Sequence, residues 1–132
     1  MTVTDYINSV VGLPWVAGSD DPSIGLDCWG LVVDSFRRID GIELPPLNAY
    51  DALDIAAGFA EGMAAGKWQP CGALDGAVVA CFDAEDRLDH VGRLLCGKML
   101  HSQGKRTQPG EVTLWPIGVA RKFYRLEFYQ WR

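Results

Sequence analysis

The order of two hydrophobic periodicities along the chain most limits the folds available to it. Up to about residue 66 the apolar residues recur at helical spacing, whereas from residue 77 onward they form short runs typical of β-strands. Helices come first in this order, and strands joined by short turns follow them. Such an order favours an α+β domain over a doubly wound parallel sheet. A chain of 132 residues can bury its own core, so we predict one domain spanning residues 1–132.

Helical patterns fill the first half of the chain. In the middle one, Trp29, Val32 and Phe36 recur on one face, and Asp40-Gly41 ends the pattern. Gly30 lies one turn from its start and has a poor helix propensity, so we expect a neighbouring segment to pack closely there. The predicted helices cover residues 3–11, 27–40 and, more weakly, 50–66, where a break is expected near Gly58 and Gly62.

The second half predicts an antiparallel sheet of about five strands, with the N-terminal helices packed on it. Apolar and aromatic runs alternate there with turn-forming residues. The predicted strands cover residues 77–82, 90–96, 99–102, 111–115 and 122–131.

The two histidines flank one predicted hairpin. A turn at Gly97-Lys98 would pair Leu94 with His101, which places His90 four residues from the position opposite His101. Four is even, so both imidazoles are predicted on the same face. At ~3.3 Å per residue an ideal ladder keeps them apart, and contact would need a bulge, a wider turn or strong twist.

Charge and hydropathy exclude several classes of partner. The net charge of −5 argues against non-specific binding to nucleic acid or to an anionic membrane surface. The N-terminal residues lack the pattern of a signal peptide, and no apolar run is long enough to span a membrane. We therefore expect a protein made in the cytoplasm without a signal peptide and without membrane insertion.

Four cysteines raise the question of which one carries chemistry. Cys28, Cys71, Cys81 and Cys96 show no C-x-x-C spacing, and a cytoplasmic chain keeps its thiols reduced, so a disulfide framework is not expected. Cys28 differs from the rest because it lies in the first turn of a predicted helix, where the helix dipole lowers a thiol pKa.

A nucleophilic thiol needs a base, and that base needs an orienting group. The hypothesis is that Cys28 acts with His90 and His101, because the sheet face toward the helices would present both imidazoles to the first turn of the Cys28 helix. Three alternatives stay open: a buried structural thiol at Cys28, backbone-bonded or surface histidines, and a zinc site formed by Cys28, Cys96, His90 and His101.

The motifs "GLDCWGLV", "DHVG" and "MLHS" together resemble the NlpC family of papain-like cysteine peptidases, most of all its short phage-tail branch. The resemblance runs over roughly residues 4 to 125. It implies a papain-like NlpC fold, with Cys28 as the nucleophile, His90 as the general base and His101 as the residue that orients the base. Further matching segments are "GLPWVAG" at 12–18, "LPP" at 44–46 and "ALDGAVVACF" at 73–82.

That resemblance also implies a function. It points to a cysteine peptidase that hydrolyses an amide bond of the peptidoglycan stem peptide, between D-glutamate and a diamino acid. Bacterial peptidoglycan and other phage tail-tip proteins are the implied partners, with incorporation into a phage tail or virion and with no cofactor or metal. The alternative is a structural tail-tip or tail-assembly subunit with little or no catalytic activity.

The residues around the motif differ from the family pattern at two positions. Trp15 stands where the family often has a tyrosine, and it offers an N–H donor near the oxyanion or packs beneath the site. Trp29 follows the cysteine where a small residue is usual, so it is expected to narrow a substrate groove or to contact a partner. Asp27 is expected to cap the helix, since an anion beside Cys28 would raise the pKa of the thiol.

Overall fold

The computed structural model describes residues 1–45, 52–105 and 107–132. Positions 46, 50 and 51 of the predicted segments lie outside this part. The helices are α1 (Val3–Val10), α2 (Cys28–Ser35), α3 (Ala52–Ala64) and α4 (Ile117–Phe123). The strands are β1 (Asp20–Asp21), β2 (Gly25–Leu26), β3 (Trp68–Cys71), β4 (Val78–Phe82), β5 (Leu88–Leu95), β6 (Lys98–Ser102), β7 (Val112–Pro116) and β8 (Arg125–Trp131).

An antiparallel sheet forms the centre of the molecule. Its six strands lie in the order β3-β8-β4-β5-β6-β7, and every described neighbouring pair runs antiparallel. The short strands β1 and β2 form a separate two-stranded ribbon before α2. The predicted α+β class is confirmed. The break expected near Gly58 and Gly62 is wrong, since α3 runs through both, and the missing side chain of Gly62 leaves room for the ring of Trp68. None of the described helices is both long and apolar enough to cross a membrane.

The sheet has one strand more than the five expected from the sequence. Among the described strands, the additional strand β3 pairs with β8 alone, at the edge of the sheet. Pro70 lies within it, and proline is tolerated at an edge because it has no N–H to donate to a second neighbour. That proline also weakened the strand pattern in the sequence.

The prediction of a strand over 122–131 is wrong for residues 122–124. Pro116 precedes the helix α4, which ends at Phe123, and β8 begins only at Arg125. Proline suits a helix start because its missing N–H would have no intrahelical partner there. Ala120 of this short helix is buried against the sheet, so tertiary packing overrides the strand preference of the aromatic residues.

The hairpin turn is also displaced from its predicted position. Leu95 pairs with Lys98, so the turn consists of Cys96 and Gly97 rather than Gly97 and Lys98. Both turn residues have positive φ, 53° and 74°, as a type I′ turn requires. The register therefore shifts by two residues from the one predicted, and because two is even each side chain keeps its face.

Both faces of the sheet are covered. On one side, α2 and α3 pack over β4, β5 and β6 through a cluster that includes Trp29, Val32 and Phe59. On the other side, α4 covers a smaller cluster formed by Val79, Leu94 and neighbouring residues. Alternate residues of β5 and β6 therefore enter two different cores.

A buried cation holds the end of α2 against β5. The guanidinium of Arg93 lies 2.6 Å from the carboxylate of Asp40 and 3.7 Å from the centre of the Phe36 ring, and it is 3.3 Å from the Ser35 hydroxyl. These partners replace the water that a buried charge loses. They connect the π-helical turn Phe36–Asp40, which continues α2, to the middle of the sheet.

Close packing at the start of α2 explains Gly30. A Cβ at this position would lie 1.9 Å from the carbonyl oxygen of Ser19, which is impossible without moving the backbone. The close neighbour expected from the sequence is therefore the backbone of the loop that precedes α2.

We predict that Gly30→Ala lowers the free energy of unfolding by about 1–3 kcal/mol, because the overpacking outweighs the better helix propensity of alanine. Gly118→Ala in α4 is the matched control, since no described atom outside its own helix turn lies within 4 Å of the added Cβ. The control is expected to gain up to about 1 kcal/mol. Urea denaturation of both variants measures the difference, and equal gains would contradict the packing argument.

Candidate functional site

Asp27 sets the start of α2. Its carboxylate accepts hydrogen bonds from the backbone N–H of Gly30 at 2.6 Å and of Gly18 at 2.7 Å, so one side chain caps the helix and holds the preceding loop. The predicted capping role is confirmed. Burial raises the pKa of Asp27 to about 6, although the two backbone donors oppose that increase.

Cys28 is the first residue of α2, and its side chain is 9% exposed. Burial, and in smaller part the neighbouring Asp27, raises the pKa of its thiol to about 12. The backbone N–H of Val91 in β5 lies against the thiol and opposes that increase, as do the N–H groups of Cys28 and Trp29. The low thiol pKa expected at a helix start is therefore wrong for this state, because desolvation exceeds the effect of the helix dipole.

The two imidazoles are in direct contact. The distance between Nε2 of His90 and Nδ1 of His101 is 2.8 Å, and the ring planes lie at 73° to each other. The observed register explains the contact, since it places His90 two residues, rather than four, from the position opposite His101. Gly92 contributes as well, because a Cβ there would lie 3.0 Å from the Cβ of His101.

The histidine pair lies on the sheet face that α4 covers, not on the face toward α2 that the sequence suggested. The ring of His90 is stacked with Tyr124 at 6.0 Å, and the ring of His101 meets Trp115 at 4.2 Å. Both aromatic residues pack against the cluster under α4. The reason is strand alternation, because Val91 and Arg93 take the α2 face and leave His90 on the opposite one.

Cys28 meets β5 at Val91, the residue that follows His90. The ladder between β5 and β6 joins residues 93–95 to residues 98–100 and ends there, so Val91 lies beyond the last pair. Among the hydrogen bonds of the described residues, none connects the thiol of Cys28 to His90. Burial, and in smaller part Asp89, Cys81 and Cys28, raises the pKa of Tyr124, whose ring is stacked on His90.

Burial keeps both histidines neutral. His90 is 8% exposed and His101 is fully buried. Desolvation lowers the pKa of His90 to about 4, and desolvation together with the charge of His90 lowers that of His101 to about 3. At neutral pH the site therefore holds an uncharged thiol and two uncharged imidazoles.

Tyr124 is a site residue that the sequence analysis missed. It follows α4 directly and stacks on His90 with ring planes 24° apart, while the preceding Phe123 stacks on Trp115. The end of α4 therefore places one aromatic ring on His90 and supports the ring that contacts His101. The aromatic run 123–124 was the available signal, but a strand assignment separated it from the histidines.

The two tryptophans predicted near the site lie in different environments. Trp29 is 4% exposed and packs edge-on against Phe59 and Trp68. The expectation that it narrows a substrate groove or contacts a partner is wrong, because α3 and β3 cover it. Trp15 is half-buried, its backbone N–H donates to the carbonyl of Gly110, and its ring packs against Gly104. Its role at the oxyanion stays a prediction.

All four cysteines are free thiols. Cys96 is exposed in the hairpin turn before β6, whereas His101 lies near the other end of that strand. Cys96 is therefore separated from His101, with which it would have to share the zinc ion. Among residues 1–45, 52–105 and 107–132, no three histidine, cysteine or acidic side chains are grouped so that they could hold a metal ion.

Comparisons with known proteins identify the family and the fold of the chain. The model of the NlpC/P60 family matches residues 12–115. The fold is similar to the crystal structure of the NlpC/p60 domain of peptidoglycan hydrolase SagA, with a TM-score of 0.59, 16% identity and coverage of 96% of this chain and 95% of that one. No curated protein sequence gives a significant match.

A second solved structure is an NLP/P60 family protein, described as similar to lipoprotein, from Staphylococcus aureus subsp. aureus Mu50. It has a TM-score of 0.59 and 19% identity to this chain, and the match covers 96% of this chain but only 39% of the other. At these identities the similarity establishes the fold, which is the papain-like fold of NlpC/P60 domains.

Acidification is predicted to destabilise the fold through the histidine pair. In the unfolded chain an imidazole has a pKa of about 6.5, whereas the folded values are about 4 and about 3. Below pH ~6.5 the unfolded chain therefore binds more protons, and the free energy of unfolding falls as the pH falls. His101→Gln should flatten this dependence between pH ~6.5 and ~4 in urea denaturation, and an unchanged slope would contradict the neutral buried pair.

Protonation of Asp27 is predicted to have the opposite effect on stability, since it raises the free energy of unfolding as the pH falls. Its folded pKa of about 6 exceeds the ordinary 3.8, so its stabilising contribution is complete below pH 3.8 and is lost as the pH rises through 6. In the wild type this gain on acidification partly offsets the loss from the histidines. Asp27→Asn, which removes the titration, should make the acid loss of stability steeper in the same denaturation series. Asp21→Asn is the control, because that carboxylate is exposed and its pKa is lowered.

Proposed function

Because the chain belongs to the NlpC/P60 family, we propose that it is a cysteine peptidase that hydrolyses amide bonds in the stem peptide of bacterial peptidoglycan. The observation that carries the proposal is the 2.8 Å contact between His90 and His101, together with the backbone N–H of Val91, the residue after His90, against the thiol of Cys28. A buried imidazole whose second nitrogen is held by a neighbour has the tautomer and orientation that a general base requires. The similarity to the domain of a peptidoglycan hydrolase supports the choice of substrate.

The reaction follows from the roles of these groups. The sulfur of Cys28 attacks the carbonyl carbon of the amide, and its proton moves to Nδ1 of His90. The oxyanion accepts hydrogen bonds at the start of α2, where helix N–H groups lack intrahelical partners. When the C–N bond breaks, the proton passes to the leaving amine and a thioester remains. Water then hydrolyses the thioester, with His90 accepting and returning its proton.

The thiol is activated only when substrate is bound. With its pKa raised to about 12 and that of His90 lowered to about 4, a resting thiolate–imidazolium pair is unfavourable. Proton transfer therefore accompanies the attack on the carbonyl instead of preceding it. The substrate carbonyl and the donors at the start of α2 supply the stabilisation of charge that the buried resting site lacks.

Two finer points complete the proposal. The bond cleaved is the one between D-glutamate and the diamino acid, and the protein acts as part of a phage tail with tail-tip proteins as its partners. Both rest on the resemblance of the "GLDCWGLV", "DHVG" and "MLHS" motifs to the phage-tail branch of the family.

A second candidate function has a specific observation in its favour. The thiol of Cys28 is buried, and no hydrogen bond among the described residues connects it to His90. A structural tail subunit that keeps the fold without activity would have such a resting site.

The test compares Cys28→Ser with the wild type on purified peptidoglycan. Wild-type protein is expected to release new amino groups and defined stem-peptide fragments, whereas Cys28→Ser should lose at least about a hundredfold in rate because the nucleophile is gone. Cys96→Ser is the matched control, since that thiol is exposed in the turn and should leave the rate unchanged.

The fragments identify the bond by mass spectrometry. Absence of a Cys28-dependent product on walls of several chemotypes, with folded protein, would favour the structural subunit over the peptidase. Products of cleavage at another amide bond would contradict the proposed D-glutamyl specificity but not the peptidase function.

A further inference from the structure

Two buried polar atoms on the histidine face have no hydrogen-bond partner among the described residues. They are Nε2 of His101 and Oγ1 of Thr113. His101 in β6 pairs directly with Thr113 in β7. Side chains of directly paired antiparallel residues lie on the same face, with Cβ atoms ~4.5–5.5 Å apart. The two unpartnered atoms therefore belong to neighbouring side chains.

The chemistry asked of His90 determines where the protons of the pair reside. To accept the proton of Cys28, His90 needs an unprotonated Nδ1, so its hydrogen is on Nε2. That N–H donates to Nδ1 of His101, 2.8 Å away. His101 must then carry its own hydrogen on Nε2, which is the unpartnered atom. The site consequently needs a hydrogen-bond acceptor beside Nε2 of His101.

Thr113 supplies an acceptor of the required kind. A hydroxyl oxygen has lone pairs, whereas the indole of Trp115, which packs on the His101 ring at 4.2 Å, has only an N–H donor. An unpartnered N–H and an unpartnered hydroxyl are each costly when buried, and one hydrogen bond between them satisfies both. Rotation of the threonine side chain or one bridging water closes the remaining gap.

We propose that Thr113 is a positioning residue that accepts the hydrogen bond of His101 Nε2 and thereby fixes the tautomers of the histidine pair. The chain of groups is then Cys28, His90, His101 and Thr113, taken from α2, β5, β6 and β7. Thr113 acts through His101 and touches neither the thiol nor the substrate. The proposed effect on rate rests on the proposed peptidase function, but the hydrogen bond itself does not.

The test uses Thr113→Val, which keeps the shape and removes the hydroxyl, and Thr113→Ser, which keeps the hydroxyl. Thr4→Val is the control, because Thr4 is exposed on α1. Nitrogen-15 NMR of the histidine rings reports which nitrogen carries the hydrogen, and peptidoglycan cleavage gives kcat and KM. Thermal unfolding verifies that each variant is folded.

We expect wild-type His101 to be protonated on Nε2 and Thr113→Val to show a mixture of tautomers. Its kcat should fall about tenfold, the scale of one hydrogen bond, with an unchanged KM. Thr113→Ser should restore both the tautomer and kcat, and Thr4→Val should match the wild type.

Protonation of wild-type His101 on Nδ1 would overturn the proposal, as would Thr113→Val with wild-type tautomers. Failure of Thr113→Ser to recover would do the same, since it retains the acceptor. If wild-type protein cleaves no peptidoglycan while the tautomer still depends on Thr113, the peptidase function fails and the hydrogen bond stands.

Discussion

The register of the hairpin between β5 and β6 positions the histidine pair, because the turn at Cys96 and Gly97 places His90 two residues from the position opposite His101. At that diagonal spacing aromatic side chains can reach each other, whereas four residues would separate them by ~13 Å along the strand. The imidazole contact, the role proposed for His90 as the base and the role proposed for Thr113 all depend on this register.

The second constraint is burial. α4 and its flanking aromatic residues cover the imidazoles, and the core under α2 and α3 covers the thiol of Cys28. Burial penalises the charged form of each group, so the thiol pKa rises and the imidazole pKa values fall. The same cover that makes the resting site neutral also excludes water, which strengthens hydrogen bonds to any charge that develops during reaction.

Much of the site follows from local patterns. The start of α2, the capping by Asp27, the small residue required at Gly30 and the shared face of the two histidines were all predicted correctly from residue type and spacing. Each depends on contacts within a helix turn or on the two-residue period of a strand. The elements that were missed, β1, β2, β3 and α4, are short and held by tertiary packing, so their own sequence indicates them weakly.

Tyr124 and Thr113 could not be associated with the site from the sequence, because their partners are distant along the chain and on other strands. Trp29 shows the opposite error, since its position beside Cys28 suggested a groove whereas α3 and β3 enclose it. By itself the sequence determined the α+β class, the helix that presents Cys28 and the common face of His90 and His101. Only the tertiary structure decided the hairpin register, the face on which the imidazoles lie and the charge state of the site, because these depend on which strands pair and on what excludes water.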